Sequence, residues 1–462
     1  MTENIITVDL GLGDQGKGSI VDFLAREYKA ETVIRYTGAN QAVHNIVEPG
    51  GRHHKCSQFG SGIFAGANTH LSAHMLINLL HLEVEAEVLE TNSIQDPYSM
   101  LSIDSNCRLI TPFQIHMNQM REIARGKNRH GSCGLGVGEA VRDGRNGVGI
   151  ILQDIFYPDE LRKKLDYLWR YKIDQAEPLI ADGADEKITN IFNKLSTRNY
   201  VELLATAYEK MFVDHRLNIR KTADVMRDTL GPVIFEGAQG VLLDEKYGFA
   251  PYNTYSCTTP QNAKEIIGLS QAKIIGILRA YATRHGNGPF VTENKRLSSL
   301  IPDLHNSSNE WQGKFRIGWF DLVTTKYALE VSGKIDSLAI TCVDRLSGLN
   351  QVKIVTAYEY CGEKRNDLEK YFDFERKTNG KVLISRIKHI GKEGGEVLAN
   401  LLKQCRPASW KIFKGWTVNG KINKISKVQK EVKSFLAYIE EKTSIPVSIA
   451  SFGPTHEDKV WM

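Results

Sequence analysis

The sequence predicts an α/β protein in which helices cover a parallel sheet. Apolar runs typical of buried strands alternate along the chain with segments of helical periodicity, as in folds built on a parallel sheet. A glycine-rich segment also separates the first apolar run from the first amphipathic run, which indicates a strand, a loop and a helix in succession. The chain has no internal repeat and no low-complexity segment.

The predicted elements can be given in chain order. The first strand ends near Leu10, and the first helix covers the amphipathic run that begins at Ile20. Further strands are expected at five apolar runs: 32–36, 232–235, 273–278, 337–341 and 447–452. Helical periodicity is found at 71–82 and 428–439. The most polar stretch, 362–406, is expected to be a peripheral excursion.

Composition narrows the class of protein. A formal net charge of +5 is small for 462 residues and does not indicate a nucleic-acid partner. The seven cysteines form no C-x-x-C pair, which indicates free thiols in a reducing compartment. We expect no signal peptide, because no basic and apolar leader is present, and no membrane span, because no apolar run approaches about 18 residues. A cytoplasmic location is therefore expected.

The glycine-rich loop fits two phosphate-binding patterns. Gly11-x-Gly13-x-x-Gly16 matches the dinucleotide fingerprint, and Gly11-x4-Gly16-Lys17 matches a P-loop in which Gly18 replaces the usual Ser or Thr. In both patterns the backbone N–H groups and the helix dipole attract an anion. The loop is therefore expected to hold a phosphate.

The second strand favours the P-loop interpretation. A dinucleotide site needs a carboxylate at the end of that strand to hold a ribose, and none follows 32–36. A nicotinamide oxidoreductase is accordingly the less favoured class. A glycine turn without a ligand is a further alternative, but Asp14 argues against it. A carboxylate beside phosphates needs a metal or a chemical task.

Three more segments follow predicted strands. His44 lies after the second strand, where a parallel sheet would bring it towards Asp14, so this pair could supply a base and an acid. The glycines and amide of 235–240 suit close approach of a ligand. Asp344 ends a T-x-x-D segment similar to guanine-binding motifs. The plain alternatives are a structural histidine, a strand-ending turn and an ordinary aspartate after a strand.

Taken together, these segments resemble the motifs of the adenylosuccinate synthetase family. The family's G-D-E-G-K-G corresponds to 13–18, with Gln15 in place of Glu, and its F-E-G-A-Q-G is intact at 235–240. Other segments similar to family motifs occur in the same order: 35–45, 251–259, 276–293, 318–323 and 450–454. The resemblance therefore extends over almost the whole chain.

The resemblance implies a fold and a reaction. It implies one large α/β domain over 1–462, with a long and mostly parallel sheet, that works as a homodimer with shared sites. It implies a Mg²⁺-dependent ligase that uses the γ-phosphoryl group of GTP to activate the 6-oxo group of IMP. The amine of aspartate then displaces phosphate.

The resemblance also implies residue roles. Asp14 would take the purine N1 proton and bind Mg²⁺ together with the backbone of Val43, and His44 would stabilise or protonate the leaving β-phosphate oxygen. Asp344 would read guanine, and Arg145 would reach the nucleotide phosphate from the second subunit. The implied triphosphate-binding residues are Gly13, Gln15, Gly16, Lys17, Gly18, Asn45, Asp344, Ser451 and Gly453. The implied residues for the other substrates are Gln41, Ser132, Cys133, Arg145, Gln239, Thr254, Lys314 and Arg316.

The chain departs from the family pattern at 309–319, the segment that would bind the amino acid. The family's paired threonines are absent, Lys314 stands at the first arginine position, and Arg316 is the arginine that remains. A lysine cannot reproduce a bidentate guanidinium fork. Cys342 also replaces a lysine expected to pack over guanine. Aspartate or another amine, IMP or another nucleotide, and GTP or ATP thus remain alternatives, as does a nucleotide-binding protein without turnover.

Overall fold

A computed structural model describes residues 3–181, 184–215, 217–303, 306, 310–389 and 391–462. Its α-helices, in chain order, are α1 Lys17–Glu27, α2 Leu79–Thr91, α3 Pro112–Ala124, α4 Val137–Arg145, α5 Pro158–Ala176, α6 Glu186–Leu195, α7 Tyr200–Asp214, α8 Thr222–Asp228, α9 Gln261–Ile267, α10 Lys295–Leu300, α11 Leu322–Ser332, α12 Gly395–Leu402 and α13 Lys430–Thr443. Its strands are β1 Asn4–Asp9, β2 Thr32–Arg35, β3 His44–Val47, β4 His53–Cys56, β5 Asn68–Leu71, β6 Leu76–Ile77, β7 Leu101–Ile103, β8 Arg108–Leu109, β9 Asn218–Ile219, β10 Val233–Glu236, β11 Ala272–Arg279, β12 Ala282–His285, β13 Phe315–Gly318, β14 Phe320–Asp321, β15 Ser337–Thr341, β16 Gln351–Tyr360, β17 Phe372–Arg376, β18 Val382–Ile387, β19 Cys405–Lys414, β20 Val447–Ser451 and β21 Lys459–Trp461.

Ten strands form one large sheet in the order β21-β20-β15-β11-β1-β10-β2-β5-β7-β9. All neighbouring pairs in it are parallel except β20 with β21. The predicted α/β class with a mostly parallel sheet is confirmed. The bounds of the five further predicted strands also agree with β2, β10, β11, β15 and β20 to within one residue.

The first strand shows why the sheet forms here. Ile5 packs with Ile20 and Leu24 of α1 on one face, whereas Ile6 and Val8 belong to the core on the other face. This alternation is the period of two expected of a strand covered on both sides. Because β1 lies between β10 and β11, its carboxyl end meets those of the neighbouring parallel strands at one edge of the sheet.

The prediction of a helix over 71–82 is wrong. Residues 68–71 form β5 and 76–77 form β6, and α2 begins only at Leu79. Asn78 is the N-cap of α2, because its side chain accepts a hydrogen bond from the backbone N–H of His81 at 3.2 Å. The helix predicted over 428–439 is confirmed as α13, displaced towards the C-terminus.

The polar segment 362–406 contributes to a second sheet. It supplies β17, β18, α12 and the start of β19, and β18 and β19 pair with opposite edges of β16. Its apolar residues, among them Phe372, Ile384 and Leu398, are buried in the same core as β1. The helices α3, α5 and α7 pack around a separate core at the β5–β7 end of the large sheet.

Two further properties concern the helices and the cysteines. Within the described residues, no helix combines the length and the apolar character needed to cross a membrane. All seven cysteines are free thiols, as predicted from their number and spacing.

Candidate active site

The loop between β1 and α1 uses left-handed backbone at three positions. Gly13, Asp14 and Gly16 have φ values of 86°, 58° and 86°. Glycine adopts this conformation readily, whereas an aspartate is strained in it. Arg279, at the end of β11, holds the strained turn because its Nε donates a hydrogen bond to the Asp14 carbonyl. Strain of this kind at a non-glycine residue is typical of functional sites.

Gln15 and Gly18 shape this loop from within. The Nε2 of Gln15 donates to the Gly13 carbonyl at 2.8 Å, and its Oε1 accepts the backbone N–H at the end of β11 at 2.7 Å. A Cβ at Gly18 would lie 2.8 Å from the Asn45 carbonyl and 2.9 Å from the Cβ of His44. Glycine at position 18 therefore lets β3 pack directly on α1 and brings His44 to the loop.

Lys17 forms a buried ion pair that the sequence analysis did not predict. Its Nζ lies 2.6 Å from Oδ2 of Asp9 and donates to the Gln239 carbonyl at 2.9 Å. The Asp9 carboxylate also accepts the backbone N–H groups of Gly11 at 2.8 Å and Gln15 at 3.3 Å. Asp9 therefore accepts hydrogen bonds from the lysine and from loop N–H groups, which in a P-loop bind a phosphate. Burial raises the pKa of Asp9, against the effect of Lys17.

His44 is held by a buried carboxylate. Its Nδ1 lies 2.5 Å from Oε1 of Glu236, which also accepts the hydroxyl of Ser61 at 2.5 Å. Burial would raise the pKa of Glu236, but Arg35 and the hydrogen bonds from His44 and Ser61 lower it to about 2. Burial lowers the pKa of His44 to about 4, in spite of Glu236. The pair is thus a neutral imidazole that donates from Nδ1 to a carboxylate.

Nε2 of His44 has no hydrogen-bond partner among the described residues, although it is buried. The same is true of Oε1 of Gln41 and Oε1 of Gln239. Gln239, like Asp14, has left-handed backbone, with φ 59°. Buried polar atoms are nearly always hydrogen-bonded in folded proteins. These atoms therefore mark positions where a polar ligand is expected.

Gln41 and Gln239 line a solvent-open cavity with about 1050 Å³ of empty space. Of the residues that the resemblance assigned to the other substrates, five line it: Gln41, Ser132, Cys133, Gln239 and Thr254. The segment 131–139 forms one wall, where Asn118 donates to Oγ of Ser132 at 3.1 Å. Burial raises the pKa of the Cys133 thiol to about 11.

Three other assigned residues lie elsewhere. Lys314 is exposed, and Arg316 donates to Glu293 at 3.0 Å and to the Gly288 carbonyl at 2.9 Å. Arg145 is exposed and makes a bidentate ion pair with Glu245, at 2.7 and 2.6 Å. The structure does not bring these three side chains to the cavity. Asn309, the first residue of the segment 309–319 that differs from the family pattern, lies outside the described residues.

The residues assigned to the guanine base lie at the carboxyl ends of β15 and β20, which are neighbours. Burial raises the pKa of Asp344, and the Ser451 hydroxyl donates to the Gly453 carbonyl at 3.1 Å. Thr341, the residue directly before Cys342, donates to the Gln15 carbonyl at 2.7 Å. This bond joins the end of β15 to the glycine loop, so a base and a triphosphate could be held together.

The donor set suits a magnesium ion that arrives with a nucleotide. The described residues contain no group of three or more His, Cys, Asp or Glu side chains arranged to hold a metal. The Asp14 side chain is 31% exposed, and Val43 is 45% exposed. Mg²⁺ commonly takes one or two carboxylates together with substrate phosphates and water. One carboxylate and one carbonyl therefore fit an ion held mainly by phosphates.

A sequence model described as adenylosuccinate synthetase matches residues 6–460. The chain belongs to the adenylosuccinate synthetase family. The family relationship makes it an enzyme, a ligase that forms a C–N bond. It is 31% identical to the adenylosuccinate synthetase of Brevibacillus brevis over 467 residues, which cover 99% of this chain and 98% of that one. It is 30% identical to adenylosuccinate synthetase 1 of Photorhabdus laumondii, with 97% of each chain covered.

Two solved structures share the fold. The fully ligated adenylosuccinate synthetase of Plasmodium falciparum superposes with a TM-score of 0.79 at 20% identity, and all of both chains is covered. The succinoaminodeoxyadenylate synthetase of cyanophage S-2L, bound to dGMP and to dATP as an energy donor, superposes with a TM-score of 0.54 at 15% identity. That comparison covers 100% of this chain and 96% of the phage enzyme.

Sequence reasoning about this family member missed several site residues that share one feature. Asp9, Arg35, Glu236 and Arg279 are charged residues at the last positions of β1, β2, β10 and β11. A charged residue at the end of a buried strand in a parallel sheet lies at the edge of the sheet where ligands bind. That signal would have singled out all four. His285 ends β12, a strand of a separate two-stranded antiparallel sheet, so this signal does not extend to it.

Proposed function

We propose that this chain is a GTP- and Mg²⁺-dependent ligase that phosphorylates the 6-oxo group of an IMP-like purine nucleotide. A primary amine, L-aspartate or a related acceptor, then displaces the phosphate. The observation that carries the proposal is the buried pair of His44 and Glu236 beside the glycine loop, with Nε2 of His44 left without a partner among the described residues. A nucleotide-binding protein without turnover has no need of such a pair.

The first chemical task is to make the purine oxygen nucleophilic. A 6-oxopurine carries a proton on N1, and its oxygen attacks phosphorus poorly until that proton leaves. Asp14 is the proposed base, because its carboxylate is partly exposed on the strained loop that Arg279 holds. Mg²⁺, when bound with the nucleotide, would neutralise phosphate charge at Asp14 and the carbonyl of Val43.

The second task is to stabilise the departing diphosphate. Burial lowers the pKa of His44 to about 4, so its imidazole is neutral near pH 7. Phosphate oxygens near Nε2 would favour the imidazolium, since an adjacent negative charge raises the pKa of a histidine. Glu236 keeps Nδ1 engaged, so the added proton would sit on Nε2 and face the leaving oxygen. Lys17 and the loop N–H groups would hold the remaining phosphate charge.

GTP is the proposed donor because of the residues around the end of β15. Asp344 can accept two hydrogen bonds from guanine, which adenine does not offer in that arrangement. Ser451 and Gly453 lie at the neighbouring strand end. Gly13, Gly16, Gly18 and Asn45 would line the triphosphate path beside Lys17.

An altered acceptor is the second candidate. The side chain of Lys314 is exposed and that of Arg316 is bound to Glu293, so neither is placed to clamp the carboxylates of aspartate. The other residues assigned to the nucleotides support activation of the purine, whichever amine then reacts. A specialised relative would keep the first step and change the second.

We further propose that the enzyme works as a homodimer in the cytoplasm. Arg145 would exchange Glu245 for a phosphate of the nucleotide bound by the partner subunit. Its exposure and its bidentate pairing with a carboxylate support this, because a guanidinium fork binds phosphate in the same geometry. The free thiols support a reducing compartment.

One assay tests the proposal. Phosphate release is measured with IMP, GTP and Mg²⁺, with and without L-aspartate, and the nucleotide product is identified by its mass. Aspartate-dependent release of a succinyl-purine would establish the first candidate. Release that depends on another amine or another nucleotide would establish the second. Nucleotide binding without release under any of these conditions would overturn both.

A further inference from the structure

His285 lies against the proposed base, outside the set of residues assigned above. Its Nε2 is 3.4 Å from Oδ2 of Asp14 and 3.3 Å from Oδ1 of Asn306. The ring centroid lies 4.7 Å from that of Phe315.

The position of His285 joins two parts of the site. It ends β12, which pairs antiparallel with β13. Its partner in the pairing is Phe315, which belongs to the segment 309–319. On its other side it meets Asp14 of the glycine loop. His285 also lines the large cavity, together with Arg284, Asn287 and Gln312. A ligand that lies between the purine and the acceptor segment would therefore meet this ring.

The contacts of His285 determine which of its nitrogens can meet a ligand. An ionised carboxylate and an amide oxygen are both hydrogen-bond acceptors, so Nε2 carries the hydrogen. In the neutral ring Nδ1 is then an acceptor. Nδ1 is buried and has no hydrogen-bond partner among the described residues. A buried acceptor without a partner is uncommon, and a ligand donor would satisfy it.

We propose that His285 binds the incoming amine, with Nδ1 accepting one of its N–H bonds while Nε2 stays on Asp14. The ligand class is a primary amine such as an amino acid. The inference rests on the proposed function. It places the nitrogen of the acceptor on the Asp14 side of the cavity, close to the purine position that Asp14 activates. His285 would thereby replace part of the positioning that Lys314 and Arg316 do not supply.

Two matched variants separate the two nitrogens. His285→Gln keeps a donor near the position of Nε2 and removes the acceptor at Nδ1, whereas His285→Asn keeps a polar group near Nδ1 and withdraws the contact with Asp14. Phosphorylation of the purine is followed without any amine, as scrambling of ¹⁸O from the β,γ-bridge of labelled GTP in the presence of IMP and Mg²⁺. The amine step is followed as steady-state phosphate release with L-aspartate, glycine and ammonium as probes.

We expect His285→Gln to keep isotope scrambling close to the wild-type rate and to raise KM for the amine about tenfold, the effect of one lost hydrogen bond. His285→Asn should slow scrambling while KM for the amine stays near that of the wild type. A His285→Gln enzyme with unchanged KM for the amine would overturn the inference. So would a loss of scrambling equal to its loss of amine-dependent turnover, since His285 would then act through Asp14 alone.

The same measurements separate a failure of the role of His285 from a failure of the proposed ligase function. A wild-type enzyme that neither scrambles the label nor releases phosphate with any probe would contradict the proposed function itself. A wild-type enzyme that does both, and whose His285→Gln variant behaves identically, would contradict the assignment of His285 alone. Thermal unfolding of each variant identifies a loss of fold, and scrambling reports an intact nucleotide site.

Discussion

Nζ of Lys17 lies 2.6 Å from Oδ2 of Asp9, so the ion pair joins the two ends of the loop that the sequence predicts to hold a phosphate. The carboxylate and the ammonium are both buried. Asp9 also accepts two loop N–H groups, so its carboxylate engages donors of the kind that a P-loop offers to an anion. A triphosphate that enters this loop would compete with Asp9 for Lys17.

Asp9→Asn should therefore destabilise the free protein and strengthen its response to nucleotide. Removal of one partner leaves a buried ammonium without its countercharge, which typically costs about 3–5 kcal/mol. Phosphate can then take the place of the lost carboxylate. We expect GTP with Mg²⁺ to raise the Tm of the variant more than that of the wild type, as measured by calorimetry.

Asp22→Asn provides the control for this experiment. Asp22 is another buried carboxylate, on α1, and pairs with Arg26 at 3.1 Å outside the loop. Its variant should respond to GTP as the wild type does. An equal Tm response of the Asp9 and Asp22 variants would contradict the competition.

Asp14→Ala should abolish phosphate release while nucleotide binding persists. The substitution removes the proposed base, whereas Lys17 and the loop N–H groups proposed to hold phosphates stay in place. General-base catalysis typically contributes a factor of about 100 to 10,000. Equilibrium dialysis with labelled GTP measures binding, and turnover is measured in parallel. Substantial release by Asp14→Ala would show that another group takes the N1 proton.

Glu236→Gln should lower stability in a pH-dependent manner. The pKa of Glu236 is about 2 in the folded protein, below its ordinary value of 4.5. A depressed carboxyl pKa stabilises the folded state above about pH 4.5, and this contribution is lost as pH falls towards 2. We expect the wild type to exceed the variant by a few kcal/mol in free energy of unfolding near neutral pH, and the difference to shrink below pH 4.5.

Denaturant titrations of both proteins between pH 7 and pH 3 measure that difference directly. The variant is the reference for every other carboxyl group, because these are shared by both proteins. A difference that stays constant down to pH 3 would contradict the charged state of Glu236. The variant should also lose turnover, since His44 is no longer held by a carboxylate.

Glu293→Gln should improve the use of aspartate. Arg316 is bound to Glu293 at 3.0 Å, and removal of that charge would free the guanidinium for a substrate carboxylate. We expect KM for L-aspartate to fall several-fold, measured by phosphate release at fixed IMP and GTP. Insertion of the family's Thr-Thr-Gly-Arg segment at the corresponding position should lower it further.

Arg316→Lys in the Glu293→Gln background is the matched control. A lysine keeps the charge but cannot form the bidentate contact, so the gain should be lost. Efficient aspartate turnover by the unmodified protein would show instead that the acceptor is held by other residues.

Arg145→Ala should raise KM for the purine nucleotide about tenfold or more without loss of stability. Arg145 and Glu245 form an exposed pair, which contributes little to folding. Glu245→Gln is the control, because it frees Arg145 and should not raise KM. Sedimentation at assay concentrations tests the dimer, and a fully active monomer would contradict the role of the partner's Arg145.

The sequence itself determined the α/β class, the positions of the main strands along the chain and the position of the glycine-rich loop between β1 and α1. These follow from local patterns, because an apolar run of the right length predicts a strand and closely spaced glycines predict a turn. The helix expected over 71–82 shows the limit of such patterns. Its apolar spacing suited a helix, but pairing of β5 and β6 with neighbours in their sheets, together with the cap at Asn78, decided where α2 begins.

Tertiary structure alone decided which charges meet. His44 and Glu236 are 192 residues apart, and Asp9 becomes the partner of Lys17 only when β1 lies between β10 and β11. The family resemblance pointed to Arg316 as a substrate contact, yet the turn after β12 places Gly288 and Glu293 where they bind it first. A side chain's role depends on the nearest partner of opposite charge, and the packing of distant strands determines which partner that is.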